Sequence, residues 1–83
     1  MKYELTKHAQ QVLAERGILV EWMERTLSQP ELVMPDPLDP EVERRYRQIP
    51  EYGGRVLRVA VKTTVDPNRI VSVFFDRNRK GKL

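Results

Sequence analysis

Four prolines fall within eleven residues in Pro30-Glu31-Leu32-Val33-Met34-Pro35-Asp36-Pro37-Leu38-Asp39-Pro40, and they constrain the fold more than any other feature. Proline removes a backbone donor and fixes φ, so this stretch supports neither a regular helix nor a central strand. It divides the chain into a first part with helical periodicity and a second part with strand alternation. Within it, Leu32 to Met34 is long enough only for a short edge strand. The remainder reads as an irregular acidic loop. Its charge suits it to lie over a basic face in place of nucleic acid, although a solvated loop is the simpler reading.

Before the prolines, Thr6 is a good N-cap for a helix over Lys7 to Arg16, and Gly17 suits the left-handed residue that closes it. At 100° per residue Leu5, Ala9, Val12, Leu13 and Arg16 share one arc, and His8, the only histidine, falls at its edge. A boundary position lets an imidazole pack its ring while exposing one nitrogen. A second helix over Val20 to Ser28 places Leu19, Trp22, Met23, Thr26 and Leu27 on one face, and Pro30 ends it. Trp22 and Met23 at this spacing belong to a core rather than to a binding groove. The tight turn between the helices predicts a helical hairpin.

After the prolines, three strands read as a meander. Val42 to Ile49 is polar and therefore expected at an edge. Arg55 to Thr64 alternates Leu57, Val59 and Val61 with Arg58, Ala60 and Lys62, and Arg69 to Asp76 is the third strand. Pro50-Glu51-Tyr52-Gly53-Gly54 and Asp66-Pro67-Asn68 supply the turns. The predicted fold is α+β, an N-terminal helical hairpin packed on one face of a small antiparallel sheet of three to four strands. Residues 1–76 form a single domain, and 77–83 form a basic tail expected to fray.

Charge is segregated along the chain. Residues 30–43 hold five acids and no base, whereas residues 44–83 hold eleven Lys/Arg against three acids. A field of that sign attracts polyanions or an acidic partner protein. If Leu57, Val59 and Val61 face the helices, Arg58 and Lys62 face away. Val71, Val73 and Phe75 inward would likewise put Ser72 and Phe74 outward. Arg45 and Arg47 share one side of the polar strand. Arginine forks grip phosphate oxygens and exposed aromatics stack on bases, so Arg45, Arg47, Lys62, Ser72 and Phe74 are the candidate nucleic-acid contacts, with single-stranded RNA as the ligand. Arginine on the open face of a small sheet is also ordinary solubility chemistry.

Eighty-three residues with no cysteine leave little room for an enclosed cofactor pocket and exclude a disulfide scaffold. A lone histidine without thiols makes a structural zinc site improbable, so neither metal nor cofactor is expected. Without an apolar run of about 20 residues or a signal-like start, the expectation is a soluble, cytoplasmic protein with no membrane partner.

The ordered set Leu5-Thr6-x-His8-Ala9, Glu15-Arg16-Gly17-Ile18, Gln29-Pro30-Glu31, Arg55-Val56-Leu57-Arg58-Val59-Ala60-Val61 and Ile70-Val71-Ser72-Val73-Phe74 resembles a bacterial domain family of unknown function. That family opens with Leu-Thr-x-His-Ala and looks related to the RelE/ParE-like toxin superfold. The resemblance covers nearly the whole chain and implies two helices on a small antiparallel sheet. It departs in the last strand, where Ser72-Val73-Phe74 stands in place of Thr-Val-Tyr and loses a phenol. The superfold includes RNases and non-nuclease poisons of gyrase, so fold alone does not fix activity. An RNase needs a proton-transfer group and cations on the phosphate: His8 suits acid or base work, Arg16, Arg47 or Arg58 could hold the phosphate, and His8, Arg16 and Arg58 are the candidate catalytic set, with an antitoxin protein as a partner the superfold implies. A non-catalytic module binding nucleic acid or an acidic protein is the alternative. His8 has a competing structural role, fixing the first helix to a strand carbonyl.

Overall fold

Thr6 ends one element and begins the next. Its Oγ1 accepts from the Ala9 N–H at 3.1 Å and so caps helix α1 (Lys7–Arg16), which the first free turn of a helix requires. The same residue ties the helix to the sheet, because its N–H donates to the Ile70 carbonyl at 3.1 Å and its hydroxyl donates to the Val71 carbonyl at 3.3 Å. Gly17, at φ +62°, closes α1 in the left-handed conformation, where a side chain would be strained. Helix α2 (Val20–Ser28) follows after two residues.

The computed structural model describes residues 2–83, and its sheet has five strands. These are β1 (Tyr3–Leu5), β2 (Leu32–Pro35), β3 (Val42–Ile49), β4 (Arg55–Lys62) and β5 (Asn68–Phe75), in the spatial order β1-β5-β4-β3-β2. The β3-β4-β5 meander is antiparallel as expected, and β2 forms the expected edge. Two expectations are corrected. The sheet is mixed, because β1 pairs in parallel with Asn68–Ile70; Leu5 therefore belongs to a strand rather than to the apolar arc of α1. The polar β3 is not an edge, because β2 and β4 flank it.

The two helices share one core, and each makes its main contacts with the sheet. Helix α1 lies over β5 and β1, whereas α2 lies over β4 and β3. Each buries its own stripe on the sheet: Ala9 and Leu13 from α1, Trp22, Met23 and Leu27 from α2, against Ile49, Leu57, Val59, Val61, Ile70 and Val73. Met23 and the central strand residues are fully buried, and burial of such side chains contributes about 1.5–3 kcal/mol each. An irregularity between Ala60 and Val61 shifts the register, so that Val61 pairs with Ile70 while Ala60 pairs with Ser72. Ile70 thereby replaces Val71 as the inward residue, a bulge that alternation alone does not reveal.

The opposite face of the sheet is not bare. Tyr46, Val56 and Ala60 on that face are buried. The chain beyond β5 folds back across it as a 3-10 turn, Arg77–Arg79, with the Arg79 guanidinium 4.9 Å from the Tyr46 ring. At the other end, the acidic loop is tied down by its own carboxylates. Asp36 accepts from the Leu38 and Asp39 N–H groups and from Arg44 Nε, and these bonds, with the backbone donor of Leu38 first, hold its pKa below the usual carboxylate range. Glu41 accepts from Thr64 at 2.7 Å and lies 4.0 Å from Lys62.

Candidate nucleic-acid groove

A groove of about 690 Å³ runs between α1 and the end of β5. His8, Val12 and Arg16 line it from α1, and their spacing of four places them on one stripe of the helix. Ser72 to Asp76 line it from the sheet. Strand β1 pairs with β5 only over Asn68–Ile70, so this later part of β5 is the open edge of the sheet. Tyr52 and Arg55 close one end, and Arg77 and Lys80 enter from the chain beyond the sheet.

The charge of the lining is one-sided. Arg16, Arg55, Arg77 and Lys80 are exposed cations, and Asp76 is the one carboxylate in the lining. Among the described residues, the ion pairs engage other bases: Arg25, Arg44, Arg45, Arg58, Lys62 and Arg69. His8 is exposed at the groove, and the bond from helix to strand carbonyl expected of it is made by Thr6. The imidazole is thus available to a ligand.

Apolar side chains support this rim. Tyr52 packs 5.4 Å from Trp22 and 4.9 Å from Phe75, centroid to centroid, and Arg55 lies 5.0 Å from the Tyr52 ring. Such offset aromatic pairs are favourable beyond their burial. The segment that carries Tyr52 is held from below by Arg25, whose two terminal nitrogens donate to the two Glu51 oxygens at 2.9 and 2.7 Å. This fork, together with a backbone bond, brings the Glu51 carboxyl down to about 2, and raises Arg25 in turn.

The sequence-predicted residues separate into three groups. His8, Arg16, Ser72 and Phe74 come together in the groove. Arg58 does not line it. Its guanidinium lies 3.8 Å from the centroid of the Phe74 ring and 3.8 Å from Asp76, with its side chain only 18% exposed, so it is a support beneath the groove rather than a free grip on phosphate. Arg45, Arg47 and Lys62 lie elsewhere. Arg45 and Arg47 point to the helical face, where Nη1 of Arg45 donates to the Leu27 carbonyl at 2.9 Å and Nη1 of Arg47 to the Gln29 carbonyl at 2.6 Å. They satisfy the carbonyls that every helix C-terminus leaves unpaired, where a cation is also favoured by the helix dipole. Lys62 stands beside Glu41, at the end of β4 away from Arg55.

Sequence reasoning missed Tyr52, Arg55 and the specific part of Arg77 and Lys80. Arg55 carried one usable signal, its place directly after the Gly53-Gly54 turn at the start of the strongest strand. Among the described residues no cluster of three or more His, Cys, Asp or Glu is placed to hold a metal ion, and no helix is long and apolar enough to cross a membrane.

Compared with known proteins, the chain matches one family model, a domain of unknown function (DUF4258), over residues 5–75. The matched stretch runs from Leu5 to the last residue of β5 and therefore includes both helices and strands β2 to β5. No curated protein and no solved structure matches it.

Proposed function

Because the chain belongs to this family of unknown function, DUF4258, its own groove must supply the reading, and we propose that the groove binds single-stranded RNA and cleaves it with His8 as the proton-transfer group. The observation that carries this is the composition of one lining: His8, four exposed cations and the Tyr52 and Phe74 rings. Cations neutralise successive phosphates, and aromatic rings accept unstacked bases. The resemblance of the Leu5–Ala9 and Glu15–Ile18 motifs to a family that looks related to RelE/ParE-like toxins supports the same reading.

The chemistry needs no metal. The 2′-oxygen attacks the adjacent phosphorus while His8 takes its proton, the bond from phosphorus to the 5′-oxygen breaks, and solvent protonates that oxygen. The products are a 2′,3′-cyclic phosphate and a 5′-hydroxyl. Arg16, Arg55 and Arg77 stabilise the charge that gathers on the phosphate. Asp76 faces Arg58 at 3.8 Å and is not the base. One base without a matched acid implies modest turnover.

The engagement of Arg58 by Phe74 and Asp76 favours a second reading, salt-sensitive binding without turnover; an acidic protein of the antitoxin kind would meet the same cations. End-labelled RNA incubated in chelator decides among these. Cleavage to a cyclic phosphate, blocked by a 2′-deoxy residue at the scissile position and reduced about 10²- to 10⁴-fold in His8→Ala, supports catalysis. Binding without cleavage leaves the second reading, and absence of salt-sensitive RNA binding overturns both.

A further inference from the structure

We infer that Asp76 and Arg58 form a clasp that holds the chain beyond β5 in place and so positions Arg77 and Lys80 as ligand-binding residues of the groove. The inference rests on the reading of the groove as a polyanion site. It concerns residues that lie past the stretch shared with the family, which ends at residue 75.

Asp76 is the pivot at which the chain turns from the sheet edge to the sheet's second face. Its N–H donates to the Val56 carbonyl at 2.8 Å, which extends the β4–β5 pairing by one residue. Its Oδ1 accepts from the Asn78 N–H at 3.0 Å and starts the Arg77–Arg79 turn, while Oδ2 faces Nη1 of Arg58 at 3.8 Å. Arg58 is fixed in turn by the Phe74 ring beneath it. Both side chains of the ion pair are more than four-fifths buried, where a charge pair is screened far less than at the surface.

The rest of the turn is anchored on the same face. The Arg79 guanidinium lies over Tyr46, with one terminal nitrogen 3.0 Å from the Met34 sulfur. The Arg79 N–H donates to the Asp76 carbonyl at 3.3 Å. With positions 76 and 79 held on the sheet, positions 77 and 80 are left to project outward, and Arg77 and Lys80 do line the groove. The clasp therefore converts a basic tail into two placed cations. Arg58 acts through Asp76 and the turn, as a positioning residue.

A sign reversal tests this. Asp76→Asn keeps a side chain that caps the turn but removes the ion pair and one negative charge from the groove. Charge alone predicts tighter binding of a polyanion. The clasp predicts weaker binding, by about tenfold in fluorescence anisotropy with a single-stranded RNA, and a salt slope shallower by about 1.4, the loss of two phosphate contacts. Arg77→Ala/Lys80→Ala should show the same slope, and combining it with Asp76→Asn should add little. Tighter or unchanged binding in Asp76→Asn overturns the clasp. Limited trypsinolysis provides a readout independent of RNA: cleavage after Arg77, Arg79 and Lys80 should be several-fold faster in Asp76→Asn and in Arg58→Leu than in wild type. If wild type binds no RNA, the groove reading fails, and equal trypsin rates in all three proteins would separately overturn the clasp.

Discussion

Strand β3 carries three arginines in four positions, and the α1–β5 groove carries three arginines and a lysine, yet the two regions use them differently. Arg44, Arg45 and Arg47 each meet an acceptor inside the fold: the Asp36 carboxylate, the Leu27 carbonyl and the Gln29 carbonyl. Arg16, Arg55, Arg77 and Lys80 reach past the last packed layer and are exposed around a concave surface. What separates the sets is the identity of the nearest acceptor. A guanidinium beside a helix C-terminus completes the fold, whereas one at the rim of a groove is left for a ligand.

Substitution should separate the regions in the same way. The largest effect is expected in β3. Arg45→Ala strands the part-buried Leu27 carbonyl and should destabilise by about 1–3 kcal/mol, and Arg47→Ala, whose Gln29 acceptor is open to water, by about 0.5–1.5 kcal/mol. Thermal melts should fall by several degrees for each, while RNA affinity per folded molecule stays within twofold. Next is the joint between the groove's two walls. Thr6→Ala removes both the α1 cap and the bond to the Val71 carbonyl and should cost about 1 kcal/mol by denaturant titration, with weaker RNA binding because one of the ties between α1 and β5 is lost. In the groove, Arg16→Ala should change stability by no more than about 0.5 kcal/mol. Its effect appears instead as weaker RNA binding with a smaller salt slope.

The smallest effect is the pH dependence of the Arg25–Glu51 fork under Tyr52. Glu51 titrates at about 2 in the folded chain against an ordinary value of 4.5. A depressed carboxylate favours folding fully above the ordinary value, and this contribution is lost as pH falls toward about 2. Both partners are partly exposed, so the effect is weakened by solvent and salt. Melting temperatures of wild type and Glu51→Gln should converge between about pH 4.5 and pH 2; a constant gap across that window would show that the fork does not couple to folding.

Local chemistry made part of this molecule legible in the sequence. Thr6, Gly17 and Pro30 mark helix ends through capping and ring geometry that depend on few neighbours, and α1 and α2 lie where those residues place them. Strand β1 was not legible, because three residues are too few to show alternation and a parallel pairing leaves no turn signal. The interior position of β3 was hidden by its own arginines, whose role depends on where α2 ends in space. The inversion of Ile70 and Val71 follows from a bulge, which alternation cannot register. In the site, His8 and Arg16 were readable as one helix stripe and Ser72 and Phe74 as one strand face. That these four meet, and that Arg77 and Lys80 join them while Arg58 stays beneath, depends on β1 covering only the first three residues of β5 and on the turn after Asp76.

The contrast between the two regions is tested most directly by anisotropy titrations of one single-stranded RNA across a salt series, with wild type, Arg16→Ala/Arg55→Ala and Arg45→Ala/Arg47→Ala compared at a temperature where all three are folded. The groove variant should bind at least tenfold more weakly with a slope shallower by about 1.4, and the β3 variant should match wild type in both. Weaker binding and a shallower slope in the β3 variant, with the groove variant unchanged, would contradict the account.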